Sequence, residues 1–381
     1  MRELFSPPQK VALKIWAGKT PPDALKQLQQ LARSEWLAGP VAVMPDVHSA
    51  GVVCVGTVLV TREVVLPTAV GEDLGCGMAV ERLPLAPSSL SRQQLVRLVA
   101  RVLEHVPVGR RSHPLPQEFT SGSALSTGAL QHAAEYLGPR HVGTLGGGNH
   151  FIELQRDAHD RLWVTVHSGS RGVGAAIAAH HGRLAVAQTD RKLPWLKLGT
   201  PEAEAFWNDL SWALAFAAEN RQRMHAAVRR VLSELCAERV EAAERFDVAH
   251  NLITRETFAD REWVVHRKGA MPAALGSRGI IPGSMGTASY IVEGLGNPVS
   301  YRSCSHGAGR ELPRTEARQR ISLQQLRREL GDVVIPDDPR LERSLVEEAP
   351  SAYKPIKRVL AEQEDLVRPL LRLEPLAVIK G

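Results

Sequence analysis

The residues best suited to chemistry sit in short glycine-rich stretches. The segment Leu66–Met78, LPTAVGEDLGCGM, carries Asp73 and Cys76 three positions apart between glycines. A carboxylate and a thiolate on one tight turn can reach a single cation, and a soft sulfur can bridge two. The same pattern also describes a turn aspartate beside a small buried cysteine, and D-x-x-C alone does not separate the two readings. Three histidines share this setting. His150 opens a strand after three glycines in GTLGGGNHFIEL, His167 closes one in WVTVHSGSRGVG, and His250 lies in FDVAHNLI. A lone histidine at such a place is more often a hydrogen-bonded core residue than a ligand. Three of them on separate strand ends, together with the Asp73 and Cys76 turn, make a mixed oxygen, nitrogen and sulfur set suited to manganese, zinc or iron.

Other motifs point to phosphate. Successive backbone N–H groups in Gly146-Gly147-Gly148-Asn149 can form an anion-binding nest. The stretch lacks the Lys-Ser/Thr of a P-loop, and no G-x-G-x-x-G opens a credible strand–helix unit. Arg171, in Ser168-Gly169-Ser170-Arg171-Gly172, precedes a helical run over Val173–His181, where it meets a phosphate or simply caps the helix. The most informative region is Gly279–Arg314, which contains SCSHGAGR. There His306 is followed by Gly307, Ala308 and Gly309, small residues that leave its ring open to a bulky ligand. An imidazole nitrogen can attack phosphorus and form a phosphoramidate if neighbouring groups stabilise the charge on the phosphate oxygens, and Arg310 and Arg314 are placed to do so. The competing assignment makes Cys304 the nucleophile and His306 its base. Residues two apart on a strand do point the same way, but no acidic group is evident to orient the histidine.

These motifs need a scaffold that alternates helices with strands. Apolar residues recur at three- and four-residue spacing over Pro21–Leu37, Leu90–Val106, Ser123–Leu137, Pro201–Arg245 and Ser322–Leu330, which predicts helices, the fourth of them long and broken at most once. Between them Val41–Arg82, Gly143–Leu154, Leu162–Gly174, Trp263–Val265 and Ile280–Val292 read as strands punctuated by glycine. The histidines and glycines cluster in the strand-rich stretches, so the chemistry is expected at strand ends and tight turns. The expected class is mixed α/β. Pro336–Pro339 is the expected mobile loop, and no repeat or low-complexity linker divides the chain.

Composition narrows the partners. The 381 residues carry 47 basic against 41 acidic side chains, a net charge of +6. Only 10 of the basic residues are lysines and 37 are arginines, whose planar fork suits bidentate phosphate contacts, although genome composition produces the same bias. The longest apolar stretch, Gly51–Val60, is stopped by Thr61, Arg62 and Glu63, well short of the roughly 20 residues a bilayer needs, so no membrane partner is expected. Met1–Gly18 carries Pro7, Pro8, Lys10 and Lys14 in its apolar pattern and lacks a signal peptide's long apolar region, so a cytoplasmic location is expected. Four widely spaced cysteines, Cys54, Cys76, Cys236 and Cys304, read as free thiols, buried or liganding.

Taken in order, MPDVH, the D-x-x-C turn, GGGNHFIE, HSGSRGVG, HN, RKGA, IIPGSMG, SCSHGAGR, AYKPI and the terminal Lys-Gly resemble the RtcB family of RNA ligases over nearly the whole chain. One departure is SAGVVCVGTVLV after MPDVH, which is less glycine-rich than in many relatives. The resemblance implies one catalytic domain over residues 1–381 with central β-structure flanked by helices, expected to work as a monomer. It implies joining of an RNA 2′,3′-cyclic phosphate or 3′-phosphate end to a 5′-hydroxyl end, with GTP and two manganese ions, in tRNA splicing or RNA repair. Asp73, Cys76, His150, His167 and His250 would then be the metal ligands, with Cys76 bridging, and His306 the guanylylated residue. Asn149, Glu153, Ser284, Ser289 and Lys380 match positions that hold the guanine nucleotide, together with the Gly307-Ala308-Gly309 turn beside the nucleophile. Arg171 and Arg314 match groups near the RNA phosphate. Two other classes compete. A metal-dependent RNA phosphoesterase would not need His306 or Lys380, and a non-catalytic RNA-binding protein gives His306 no role.

Overall fold

A computed structural model describes residues 1–119, 122–186, 193–258, 260–338 and 345–381. Two large sheets dominate it. The first has six strands in the order β1 (Arg2–Leu4), β2 (Leu13–Ile15), β3 (Val41–His48), β4 (Val55–Thr61), β12 (Arg261–Lys268) and β11 (Asn251–Phe258). The second has seven, in the order β10 (Glu244–Ala249), β6 (Gly77–Leu83), β8 (Leu162–Ser168), β7 (Phe151–Arg156), β17 (Val367–Lys380), β15 (Ser289–Gly294) and β14 (Arg278–Ile281). Two small ribbons pair β13 (Ala270–Pro272) with β16 (Ser303–Ser305) and β5 (Val64–Val65) with β9 (Leu196–Lys197). β3 is buried at every position except His48, the pattern of a strand covered on both faces.

The helices among the described residues are α1 (Pro22–Leu31), α2 (Arg92–His105), α3 (Gly128–His141), α4 (Arg171–Val186), α5 (Pro201–Cys236), α6 (Arg314–Arg320), α7 (Leu323–Leu330) and α8 (Ile356–Ala361). Their starts follow local chemistry. Ser91 and Gln94 close a capping box on α2, and Thr200 caps α5 ahead of Pro201, with Glu202 and Glu204 in the positive first turn. α5 runs unbroken for 36 residues and stops where Ala237 turns left-handed, so the expected extension to Arg245 is instead an irregular connection that enters strand β10 at Glu244. α2 and α5 cover the seven-stranded sheet through Leu98, Val102, Met224 and Val228 against Leu154, Val164 and Val166. The two sheets meet in a shared core that includes Met44, Val58, Val60, Val265, Val292 and Val367.

Two regions depart from the sequence expectation. Strands β10 to β12 exceed the expected Trp263–Val265 because ERFDVA and REWVVHRK mix charge into both faces and hide the alternation. β17 carries Pro369 and Pro375, residues that argue against a strand interior. The sheet tolerates both, because its register shifts between Ile291 and Val292 opposite Pro369, and again between Pro375 and Ala377. Of the expected loop Pro336–Pro339, the first three residues carry neither helix nor strand, and Pro339 lies outside the described residues. Among the described residues no helix is long and apolar enough to cross a membrane. The architecture is mixed α/β, as expected.

Candidate active site

The seven-stranded sheet gathers the candidate donors along one edge. Cys76 immediately precedes β6, His150 immediately precedes β7, His167 is the penultimate residue of β8 and His250 directly follows β10. Because β10, β6, β8 and β7 are neighbours, the register sets Met78 opposite His167, Phe151 opposite His167 and Ala249 opposite Gly77. Four residues scattered over 175 positions of sequence thus become adjacent strand ends. Asp73 joins them from the turn before β6, where the Ser170 N–H donates to its Oδ1 at 3.0 Å. A side chain on Gly169 would begin 2.1 Å from that same oxygen, which is why the loop needs a glycine there.

Their spacing is close. The Cys76 Sγ lies 3.5 Å from His150 Nε2 and 3.3 Å from His167 Nε2. Asp73 Oδ2 is 3.1 Å from His150 Nε2, and His167 Nε2 is 3.3 Å from His250 Nε2. The far ring nitrogens are fixed from behind. His150 Nδ1–H donates to the Leu145 carbonyl at 2.9 Å and His167 Nδ1–H to the Asn149 carbonyl at 3.1 Å, which turns both Nε2 lone pairs inward. Burial drives the His167 and His250 rings well below the ordinary imidazole range and, with the Asp73 charge, holds the Cys76 thiol well above its own. Burial also pushes the Asp73 carboxyl up, but the His150 hydrogen bond and nearby positive charge outweigh it, so the group lies below its usual value.

The donor chemistry fits a cation. The ligand atoms of Cys76, His150 and His167 all lie within 4.8 Å of one another, and His250 Nδ1 is buried without a hydrogen-bond partner. One carboxylate, one thiol and three inward imidazoles suit a borderline divalent transition metal.

His306 stands at the end of this row. It follows β16, and its ring centroid lies 4.6 Å from that of His250. Its backbone N–H and its Nδ1–H both donate to Asp46 Oδ2, at 3.1 and 2.7 Å. Burial raises the Asp46 carboxyl, but that hydrogen bond and the charges of His306, Lys354 and His48 bring it below the usual carboxylate value. Asp46 in turn explains Gly309, whose φ is +71° and where a Cβ would sit 2.4 Å from the Asp46 carbonyl oxygen. Cys304 is fully buried, and burial lifts its thiol far above the ordinary range, so no thiolate is poised beside His306.

A cavity of about 690 Å³ opens over this row, and Asp73, Cys76, His167, His250 and His306 all line it. Asn149, Glu153, Ser284 and Lys380 line it too, as do Gly307, Ala308 and Gly309. Burial pushes the Glu153 carboxyl up to about 8. Ser289 lies behind the wall, with its Oγ 3.4 Å from Glu153 Oε1. Lys380 reaches the cavity because β17 pairs with β7, and its Nζ sits 2.8 Å from Glu348 Oε2.

The three arginines differ. Arg171 lies behind the glycine loop, where its Nε donates to Thr144 Oγ1 at 3.3 Å and its guanidinium packs against Gly146. Arg314 lines the cavity 3.5 Å from Glu348 Oε1 and is partly exposed. Arg310 also lines it but makes four hydrogen bonds, to the Leu312 and Glu347 carbonyls, Glu348 Oε1 and the Tyr353 hydroxyl. One of its five N–H groups is left for a ligand.

Several residues escaped the sequence reading. Asp46 lies inside MPDVH, but nothing local ties position 46 to 306. Glu348 gathers Lys380, Arg310, Arg314 and Tyr353 around one buried carboxylate, and their charges and hydrogen bonds override the effect of burial and hold it to about 2. Asn220 and Arg221 read as part of a scaffold helix. Asn220 Oδ1 accepts the Gly143 and Thr144 N–H groups, and its Nδ2 donates to the Gly169 carbonyl. Arg221 donates to the Gly75 and Ser168 carbonyls, each at 2.9 Å. The pair therefore ties the three donor-bearing loops to α5.

Comparison with known proteins agrees with these features. A family model described as tRNA-splicing ligase RtcB matches residues 27–381. The chain is similar to RNA-splicing ligase RtcB of Escherichia coli K12, at 34% identity covering 98% of each chain. It is also similar to RNA-splicing ligase RtcB of Mycobacterium tuberculosis, at 31% identity over 89% of this chain and 96% of that protein. A tRNA-splicing ligase RtcB of Nanoarchaeum equitans is 27% identical over 90% of this chain and 88% of its own.

Proposed function

This chain belongs to the RtcB family of RNA-splicing ligases, and on that premise we propose that it is an RNA ligase working through a guanylylated His306. The substrates are an RNA end bearing a 2′,3′-cyclic phosphate or 3′-phosphate and a second end bearing a 5′-hydroxyl, with GTP as the activating nucleotide. The ligase works as a monomer, one catalytic domain over residues 1–381. Four free cysteines match a cytoplasmic setting in which thiols stay reduced.

The observation that carries the reading is the position of the His306 ring, 4.6 Å from His250 at the end of the donor row, with its Nδ1 on Asp46. An Nδ1–H held by a carboxylate leaves the Nε2 lone pair free to attack. His306 Nε2 bonds to the α-phosphorus of GTP as the bond to the β-phosphate oxygen breaks and pyrophosphate leaves. A cyclic RNA end is first opened by water to a 3′-phosphate. An oxygen of that phosphate then attacks the GMP phosphorus and releases His306, giving an end capped with GMP through a pyrophosphate bond. The 5′-hydroxyl attacks the RNA phosphorus of that bond, GMP departs, and a 3′,5′-phosphodiester remains.

Asp73, Cys76, His150, His167 and His250 would hold two manganese ions, and the bound ions would neutralise the phosphate oxygens during transfer. Asn149, Glu153, Ser284, Ser289, Lys380 and the turn Gly307–Gly309 seat the guanine nucleotide. Arg171 and Arg314 steady the RNA phosphate, and Arg310, with its single uncommitted N–H, adds to that positioning. A phosphoesterase built on the same donors would leave the Asp46 and His306 pair without a task. Incubation with α-labelled GTP and manganese tests the reading. The wild-type protein is expected to acquire an acid-labile, alkali-stable label that His306→Ala lacks. Absence of covalent label in the wild type across a range of metals overturns it.

A further inference from the structure

Resting on the ligase reading, we infer that Arg110 and Arg111 hold the phosphate backbone of the RNA strand where it leaves the cavity. The pair stands in a turn directly after Gly109, whose N–H donates to the Gly146 carbonyl at 2.8 Å. The Leu145 N–H donates to the Pro107 carbonyl at 2.9 Å, and Val108 bridges to Gly146 in parallel. A Cβ on Gly147 would lie 3.6 Å from the Gly109 Cα, so the two glycine turns touch. The next residue, Gly148, abuts the Arg314 guanidinium, and Arg314 lines the cavity. Arg314, Gly148, Gly147 and Gly109 thus form a continuous path from the cavity wall to the arginine pair.

The pair also differs from the arginines nearby in having no partner. Both side chains are exposed, and among the described residues neither makes an ion pair or hydrogen bond. Arg314 faces Glu347 and Glu348, Arg223 holds Glu219, Arg101 holds Glu234 and Arg140 lies over the Tyr136 ring. No acidic residue occurs between Pro107 and Gln117, so nothing in the turn competes for the two guanidinium groups. Two uncompensated forks beside a phosphate-transfer cavity match the spaced anions of a nucleic-acid strand. No aromatic residue accompanies them in the turn, so the contact reads backbone charge and not base identity.

The test titrates the full-length protein with fluorescent single-stranded RNA ending in a 3′-phosphate, over a series of salt concentrations. Arg110→Glu/Arg111→Glu is expected to weaken binding about ten-fold, equally for a uridine homopolymer and a mixed sequence. Arg110→Ala/Arg111→Ala is expected to flatten the plot of log affinity against log salt by about 0.7 for each arginine. A melting temperature matching the wild type certifies the fold of each variant. Unchanged affinity and unchanged slope in both variants overturn the assignment. Failure of the wild type to take label from GTP overturns the ligase reading instead, and the salt titration still decides the arginine pair.

Discussion

Asp46 Oδ2 lies 2.7 Å from His306 Nδ1, and the Asp46 side chain is completely shielded from solvent. A buried carboxylate in that position fixes the ring orientation and the tautomer together, so Nε2 carries the lone pair that faces the cavity. Asp46→Asn keeps the shape but removes the charge that holds the proton on Nδ1. It is expected to slow labelling of His306 by GTP on the order of 100-fold to 10,000-fold while metal content stays unchanged. Rapid-quench measurement of label incorporation checks this, and a wild-type rate in Asp46→Asn would remove Asp46 from the chemistry.

Cys76 touches two of the three histidines, with its Sγ 3.5 Å from His150 Nε2 and 3.3 Å from His167 Nε2. Cys76→Ala is therefore expected to lose bound manganese and ligation together. Since metal bound only to the folded state stabilises it by about 2.7 kcal/mol at a hundred times Kd, chelation should lower the wild-type melting temperature and leave that of Cys76→Ala unchanged. Full metal occupancy in the variant, measured by plasma mass spectrometry, would contradict the ligand assignment.

Much of this site can be read from sequence because its donors sit where strands end and glycines begin. His150, His167 and Cys76 announce themselves by their glycine neighbours, since tight turns at strand ends are visible as local pattern. Their convergence is not local. It arises from the order β10, β6, β8, β7, and the start of β10, Glu244 and Arg245, was hidden in the end of an expected helix. The C-terminal strand was hidden for a different reason, because two prolines disguised a segment that the sheet accepts through two register shifts. Without β17, nothing ties Lys380 to the GGGN loop. Glu348 and Asp46 illustrate the remaining limit: a buried carboxylate declares its role only through partners that are distant in sequence.

The pairing of Asn220 and Arg221 with three loop backbones gives α5 a task beyond packing. Arg221→Met would leave the Gly75 and Ser168 carbonyls and Asp247 without their donor. The expected destabilisation is about 3 kcal/mol, at the lower end for one-sided removal of a buried pair because Asp247 is partly exposed. Asn220→Ala leaves the buried Gly143 N–H unpaired, at about 1–3 kcal/mol, while the Thr144 N–H keeps the His141 carbonyl at 3.1 Å. Since these bonds fix the loops of Cys76, His150 and His167, manganese affinity is expected to fall in both variants even where the fold is restored by an osmolyte. Isothermal titration with manganese under such conditions checks this, and a wild-type Kd would reduce both residues to scaffolding.

Glu153 supplies a pH signature. Its folded-state carboxyl is pushed up to about 8 by burial, against 4.5 for an unhindered glutamate, so between those values the folded chain holds a proton that the unfolded chain has lost. Folding is favoured by that proton at low pH, and stability drains away as pH rises through 4.5 toward 8, then levels. The slope contributed by one such group is at most about 1.4 kcal/mol per pH unit. Glu153→Gln removes the titration while keeping a polar side chain beside Gln155 and Ser289. The difference in unfolding free energy between wild type and variant, from urea melts at four pH values across this window, should therefore shift steadily against the wild type as pH rises. Parallel pH profiles for the two proteins would show that Glu153 is already ionised in the fold, its charge compensated by Lys380.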